Sequence, residues 1–341
     1  MPGFDLSGLG WTAELAASLE AGLSPGRVAV QHRGQYVVYT EPGELRAGVP
    51  GRLAHRSELP AVGDWVGTRD GVIHQLLPRS SAIVRHVAGR ETEAQVLAAN
   101  VDIAFLVSSL GPDLEPRRIE RYLAMLWESG ARPVIILTKA DLWTDPRELV
   151  REVETVALGL PIHVVSAVTD VGMEAVQAYL RAGVTAVLLG SSGVGKSTIV
   201  NRIVGAELLR TREIREDDGK GRHTTSHREL VILPSGGMLI DTPGLRELQL
   251  WEGSSGMQET FADVETLAAD CRFTDCTHTI EPGCAVQAAV DEGTLPLDRL
   301  RSYRKLHREL ELVAARRDAR VRVERRKEIR RFARSLRKDR W

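Results

Sequence analysis

Cysteine is scarce in this chain of 341 residues: three occur, all between Cys271 and Cys284. That excludes a disulfide framework and fits a reducing compartment with one local site. Long apolar runs are missing too. Nowhere does the chain stay apolar for the ~18 residues a membrane span requires, and the N-terminus carries Asp5, Glu14 and Glu20 with no continuous hydrophobic stretch of the secretory kind. A cytoplasmic protein with no membrane partner is expected. No internal repeat is apparent. Residues 25–90 lack lysine altogether, although they hold nine arginines against five acids. Net charge is nearly absent, at −1, but only on average: residues 301–341 hold 17 Lys and Arg against 6 Asp and Glu, a net of +11, so residues 1–300 carry −12. With 43% hydrophobic residues, the length is enough for about two or three domains with real cores.

Against that background one stretch stands out. Gly190-Ser191-Ser192-Gly193-Val194-Gly195-Lys196-Ser197 follows the apolar run from Val184 to Leu189 and precedes a helix-compatible segment starting Thr198-Ile199-Val200. Strand, glycine loop, Lys-Ser and helix in that order make a phosphate-binding P-loop. Its glycines let backbone N–H groups turn inward around a β-phosphate, the helix N-terminus adds its dipole, Lys196 reaches β/γ oxygens, and Ser197 places a hydroxyl on Mg²⁺.

Further motifs are read relative to this loop. Asp241-Thr242-Pro243-Gly244 closes an apolar strand, so Asp241 is expected to meet Mg²⁺ through water and Gly244 to offer its N–H to the γ-phosphate. Thr138-Lys139-Ala140-Asp141 follows the strand Val134 to Leu137, and Ser166-Ala167 follows Ile162 to Val165, both at strand C-termini where α/β sheets bind ligands. Asp141 can accept N1–H and the 2-amino hydrogens of guanine, the Lys139 stem covers the base and the Ser166-Ala167 backbone meets O6, which selects GTP over ATP. Many GTPases have Asn where Thr138 stands, so a carboxamide contact is missing or replaced by a hydroxyl. The guanine-reading segments usually follow the P-loop; here residues 138–167 precede residue 190, and the chain is circularly permuted across the short link Arg181-Ala182-Gly183.

Arg212 to Ser226, with Gly221-Arg222-His223-Thr224-Thr225, is a candidate switch loop that orders with γ-phosphate and Mg²⁺. Thr225 is the preferred metal contact, with Thr224 as competitor. After Gly244, where Ras-type enzymes keep a water-orienting glutamine, stands Leu245, so intrinsic hydrolysis is expected to be slow and His223 is a candidate for orienting the water.

Around these motifs the texture changes along the chain. Residues 1–24 form an amphipathic lead-in with Leu9, Trp11, Leu15 and Leu19 at near-helical spacing. Short β-rich runs at 28–30, 36–39, 64–66 and 72–73, separated by glycines, predict a small all-β barrel, a scaffold that often displays a nucleic-acid surface. From Val101 onward, strands alternate with helical stretches, which predicts a mostly parallel, doubly wound sheet. Cys271-x4-Cys276-x-His278-x5-Cys284 supplies three thiolates and one imidazole, a closed tetrahedral set for a structural zinc. Arg316 to Arg340 is a basic helix suited to phosphate contact.

Together these features resemble the RsgA (YjeQ) family of circularly permuted, small-subunit-dependent GTPases. Ala61-Val62-Gly63-Asp64-Trp65-Val66 is similar to that family's barrel segment, and Ala98-Ala99-Asn100-Val101-Asp102 with Arg117-Arg118-Ile119-Glu120-Arg121-Tyr122-Leu123 to its entry into the GTPase domain. The resemblance implies a multidomain chain: the lead-in (1–24), an RNA-binding OB-fold barrel (25–92), a permuted α/β P-loop GTPase domain (93–252) and a zinc-binding helical domain with a basic C-terminal helix (253–341). It implies a monomeric GTP hydrolase that binds rRNA of the small (30S) ribosomal subunit late in its maturation, is stimulated by the subunit, and uses Mg²⁺ with GTP and one Zn²⁺. Two rivals stand beside it: a nucleotide-sensing RNA-binding scaffold with negligible turnover, suggested by Leu245, and an ATP-using enzyme, suggested by Thr138.

Overall fold

Backbone pairing in the N-terminal part follows from short strands that are apolar on alternate positions and punctuated by turn residues. Five strands, β1 (Ser24–His32), β2 (Gln35–Thr40), β3 (Gly43–Gly48), β4 (Trp65–Arg69) and β5 (Val72–Leu76), form them. β1 pairs with β2, β2 with β3 and β4 with β5, all antiparallel; β3 meets β5 in parallel at Gly48↔Val72, and β4 returns to β1. That closed circuit is the topology of an OB barrel. Its β4–β5 hairpin turns on Asp70 (φ 53°) and Gly71 (φ 73°), the paired left-handed geometry that matches strand twist. Val28, Tyr36, Val38, Ala47, Val66 and Ile73 fill the barrel interior.

This computed structural model describes residues 3–32, 34–50, 59–87, 90–205, 228–241, 255–312 and 314–315. Beyond the barrel lie β6 (Ala82–Val87) and β7 (Arg90–Ala99), a two-stranded ribbon that the sequence pattern does not announce. β7 runs across residue 92, where the sequence predicts the barrel to end.

The α/β part carries β8 (Ile103–Ser109), β9 (Arg132–Thr138), β10 (Ile162–Val164), β11 (Thr185–Leu189), β12 (Glu229–Ile232) and β13 (Met238–Asp241). Their spatial order is β10-β9-β8-β11-β13-β12, parallel except for β12. Continuous apolar strands are what a sheet buried on both faces demands. Along β8, Ala104 and Leu106 enter one core while Ile103, Phe105 and Val107 enter the other. Helix α2 (Pro116–Ser129) begins at a proline and ends at Gly130 in the left-handed region (φ 80°); α3 (Arg147–Glu154), α4 (Met173–Gln177) and α5 (196–205) follow. The permutation is visible as topology: β8, β9 and β10 fill one half of the sheet before β11 returns beside β8, creating the switch point at which such sheets bind ligands.

Barrel and α/β sheet belong to one compact unit, residues 1–85 with 94–248. β1 continues past the barrel to pair with β12 at Val30↔Glu229. The lead-in closes the same junction: Phe4 stacks on Tyr39, Trp11 lies 4.9 Å from Trp65, and α1 (Ala13–Ser18), capped by Thr12, follows. At the centre sits Arg27, 2% exposed. Its Nε donates to Gly63 O (3.2 Å), Nη2 to Asn100 O (3.1 Å) and Thr185 Oγ1 (2.7 Å), and Nη1 to Leu9 O. The guanidinium also lies over the Trp65 ring at 5.3 Å. Burial pulls its pKa down to about 10, with Asp102 and Asp64 opposing, so it stays charged at neutral pH. Asn100 adds Nδ2 to Gly63 O (3.0 Å) and accepts from Ser80 N–H (3.0 Å). Gly63 has to be glycine: its φ is +92°, and a Cβ there would lie 2.1 Å from Ala99 O.

The second unit comprises residues 86–93 and 249–341. Its described helices are α6 (Ser255–Thr260), α7 (Ala262–Ala268), α8 (Ala285–Asp291) and α9 (297–312). They bury Phe261, Val264, Val286, Leu300 and Leu306, and Arg299 pairs with Asp263 (2.9 Å) beneath Phe261. No helix among the described residues is long and apolar enough to cross a membrane. The basic run Arg316 to Arg340 lies outside the described residues.

Arg27→Met should take one buried donor from each of four acceptors, the carbonyls of Leu9, Gly63 and Asn100 and the Thr185 hydroxyl. The expected loss of stability is about 3–5 kcal/mol, read as a fall in the denaturant midpoint of the whole chain.

Candidate functional site

Four predicted segments emerge at one edge of the α/β sheet because their strands run parallel and end together: Thr138–Asp141 after β9, Ser166-Ala167 after β10, the P-loop after β11 and Asp241 at the end of β13. The P-loop itself needs its glycines. Gly190 has φ +139° and a Cβ on it would lie 2.1 Å from Val107 O on the neighbouring strand; Gly193 (φ +79°) and Gly195 (φ +100°) also sit in the left-handed half of the map. Ser192 and Gly193 are exposed, Val194 is buried in the sheet's core, and Ser197 and Thr198 open α5 at the surface. Lys196 Nζ donates to Gly190 O (2.7 Å) and Ser191 O (2.5 Å), so its ammonium spans the mouth of the loop it belongs to.

The segments expected to read guanine are built with the same economy. Lys139 takes φ 62°, which turns the chain out of β9 into a short 3-10 turn, Ala140–Leu142. Asp141 is exposed, and Ser166 Oγ donates to its Oδ1 at 2.6 Å. Val168 and Thr169 N–H groups donate back to Ser166 Oγ (3.3 and 3.1 Å), so one buried hydroxyl holds both the Asp141 carboxylate and the loop after β10. Thr138 is buried, and its hydroxyl reaches Val194 O (2.5 Å) in the P-loop, with Ser108 O at 3.3 Å. Arg118, in α2, donates from Nη1 to Ser191 Oγ (3.0 Å) and pairs with Glu115 (2.9 Å). The sequence pattern around residues 117–123 gives no role for Arg118, because the contact depends on where α2 lands against the sheet. His223, Thr225, Gly244 and Leu245 lie outside the described residues.

In the second unit Cys271, Cys276, His278 and Cys284 converge, with their ligand atoms all within 4.8 Å of one another. Cys271 Sγ lies 3.8 Å from Cys284 Sγ, and His278 Nδ1 lies 3.6 and 3.5 Å from these two sulfurs. A tetrahedral ion with thiolate bonds of about 2.3 Å and an imidazole bond of about 2.0–2.1 Å has S···S edges of about 3.8 Å and S···N edges of about 3.6 Å. The donor set therefore fits a metal ion and is too wide for a disulfide. Burial holds the His278 imidazole below its ordinary pKa, favouring the neutral form a ligand needs. The turn between ligands is fastened by Glu281, whose carboxylate accepts from Thr277, Thr279 and Ile280 N–H groups (2.8–3.1 Å) and is held well below the usual carboxylate range by its bond to the Thr277 side chain.

Comparison with known proteins adds the decisive observation. The family model described as RsgA GTPase matches residues 76–251, and the chain is 47% identical over 329 residues to the small ribosomal subunit biogenesis GTPase RsgA of Streptomyces avermitilis, covering 94% of this chain and 89% of that one. The chain belongs to the RsgA GTPase family. It is therefore a GTPase with the family's permuted order of motifs. The protein of the same name from Methanosarcina acetivorans is 42% identical, covering 88% of this chain and 84% of that one. Among solved structures, YjeQ from Thermotoga maritima superposes with a TM-score of 0.64 at 29% identity, covering 84% of this chain and 98% of that one. YloQ, a circularly permuted GTPase, shares the fold with a TM-score of 0.61 at 24% identity, over 85% of this chain and 96% of its own. The barrel, the permuted sheet and the Cys3His helical region are thus the RsgA architecture.

Gly190→Ala should cost GTP affinity heavily, at least tenfold, because the new Cβ drives the loop off Val107 and strains a left-handed backbone by about 1–3 kcal/mol. Calorimetric titration of the folded variant with GTP checks this.

Proposed function

We propose that this RsgA-family GTPase acts in late maturation of the small (30S) ribosomal subunit, binding its rRNA, hydrolysing GTP faster on the subunit than free, and leaving when GDP is formed. The observation that carries the proposal is a nucleotide edge and an OB barrel built into one buried framework, in a chain whose relatives are named small ribosomal subunit biogenesis GTPases. In this proposed role it works in the cytoplasm as a monomer.

In the proposed mechanism, P-loop residues Gly190, Ser191, Ser192, Gly193, Val194, Gly195, Lys196, Ser197 and Thr198 hold the phosphates. A phosphate carries full negative charge, so Lys196 exchanges two neutral carbonyls for it as the nucleotide enters. Asp141 reads the guanine edge with Lys139, Ser166 and Ala167 around the base; the bond from Ser166 Oγ presets the carboxylate. Ser197, Asp241 and Thr225 would hold Mg²⁺, which would supply positive charge against the negative charge of the phosphates. Gly244 would offer its N–H to the γ-phosphate. With Leu245 unable to orient water, His223 takes that task once the switch loop is restrained on RNA, and the water displaces the GDP oxygen at phosphorus. The basic run 316–340 and the barrel supply the phosphate-binding surface on rRNA.

The metal at Cys271, Cys276, His278 and Cys284 is proposed to be one structural Zn²⁺. Four protein ligands leave no position for water, so it stabilises the C-terminal unit rather than performing catalysis. Leu245 also favours a second reading, a nucleotide-sensing RNA scaffold that barely turns over.

Multiple-turnover phosphate release titrated with purified small subunits separates the two. Stimulation of at least tenfold is expected; turnover that stays negligible at saturating subunit supports the scaffold. Metal analysis of purified protein should find one zinc per chain. Cys276→Ala should abolish it and unfold the C-terminal unit, seen as lost helical signal, while GTP affinity stays within a factor of about three.

A further inference from the structure

Among the residues of the guanine-reading motif, Thr138 departs from the pattern, and its surroundings say what it does. It ends β9 and is 3% exposed. Its backbone is fixed by Leu110 N–H, which donates to Thr138 O at 3.0 Å. Its hydroxyl faces two carbonyl oxygens, Val194 O at 2.5 Å and Ser108 O at 3.3 Å. A hydroxyl has one proton to give, and here it goes to Val194. The guanine atoms that an amide at this position would address as a donor, N7 and O6, are acceptors, and no second proton remains for them. The donors of the base, N1–H and the 2-amino group, belong to the edge that Asp141 reads.

The acceptor matters because of where it sits. A trans peptide directs its C=O and the following N–H to opposite sides. Val194 O, held outward by Thr138, therefore turns Gly195 N–H inward, towards the concavity in which P-loop amides cradle phosphate. Gly195 has φ +100°, so this peptide is not fixed by side-chain sterics, and a Cβ on Gly195 would lie 3.5 Å from Thr138 Oγ1. The two residues are therefore close neighbours.

We propose that Thr138 is a positioning residue for the P-loop: its hydroxyl sets the Val194–Gly195 peptide and thereby the phosphate-binding amide, and it makes no contact with the guanine base. This rests on the nucleotide-site reading given above. Guanine selection then belongs to Asp141 and Ser166, and the exchange of asparagine for threonine alters phosphate holding without opening the site to ATP.

Thr138→Val keeps the shape and removes the proton, leaving Val194 O buried without its donor. In the full-length chain its affinity for GDP should fall about tenfold, and its affinities for 7-deaza-GDP, which lacks the N7 acceptor, and for IDP, which lacks the 2-amino group, should fall by the same factor. Thr138→Ser should restore all of them to within about threefold. In amide NMR spectra the Gly195 N–H of wild type and Thr138→Ser should move downfield on adding GDP, and that of Thr138→Val should move much less; a general loss of stability would not single out this resonance. The proposal is overturned if 7-deaza-GDP binds wild type and Thr138→Val equally while GDP does not, since the hydroxyl would then contact N7. An unchanged Gly195 response in Thr138→Val also overturns it. Failure of the underlying nucleotide-site reading looks different: wild type would bind ADP as tightly as GDP.

Discussion

The unit of barrel and α/β sheet depends on one buried cation, Arg27. Arg27 leaves the first barrel strand, crosses the junction, and ends against Thr185 Oγ1 and beside Met238 Sδ (3.2 Å), the first residues of β11 and β13. Those two strands lead to the P-loop and to Asp241. A guanidinium without water must have its N–H groups satisfied within the protein, and its donors fan out in a fixed plane. Each acceptor is therefore tied to the same rigid fork, and the barrel, the lead-in at Leu9 and the nucleotide strands are located relative to one another by it. Any force on the barrel acts on a body that already includes the strand leading into the P-loop.

Around this fork the segments 61–66 and 98–102 acquire physical meaning. Asp64, fully buried, accepts from Arg79 Nε and Nη2 and from Ala61 N–H (2.7 Å each), which bends the chain at Gly63 so that its carbonyl meets Arg27 and Asn100. Asn100 adopts φ 52°, a conformation asparagine tolerates, to deliver both its side chain and its carbonyl to the junction. Asp102 then receives Thr185 N–H (2.7 Å) at the start of β11. The nucleotide edge itself repeats the principle on a smaller scale: Thr138 grips the P-loop, Ser166 grips Asp141 and Arg118 grips Ser191, so hydroxyls and one guanidinium join loops that sequence separates. The Cys3His cluster is organised differently, by the turn that Glu281 fastens between Cys276 and Cys284 and by the start of α8, where Cys284 accepts Gln287 N–H.

What the sequence by itself determined is the chemistry that is local in the chain. The P-loop, the Asp141 motif and the cysteine-histidine cluster are each contained in a few consecutive residues, because phosphate cradling, base reading and tetrahedral ligation need groups at fixed short spacings. The continuous apolar strands and the order of motifs likewise determined a permuted parallel sheet, since burial on both faces leaves no alternating pattern. Ribbon strand β7 was not legible: Arg90-Glu91-Thr92-Glu93 has little strand propensity, and pairing with β6 together with the burial of Leu97, Ala98 and Ala99 at the junction accompanies its extended form. Only the tertiary structure decided that barrel and α/β sheet form one unit through Arg27 and the Val30↔Glu229 pairing, that Arg118 meets the P-loop, and that the Thr138 hydroxyl points to Val194. These contacts join residues dozens of positions apart, and a single side chain in a sequence does not say which distant carbonyl it will be folded against.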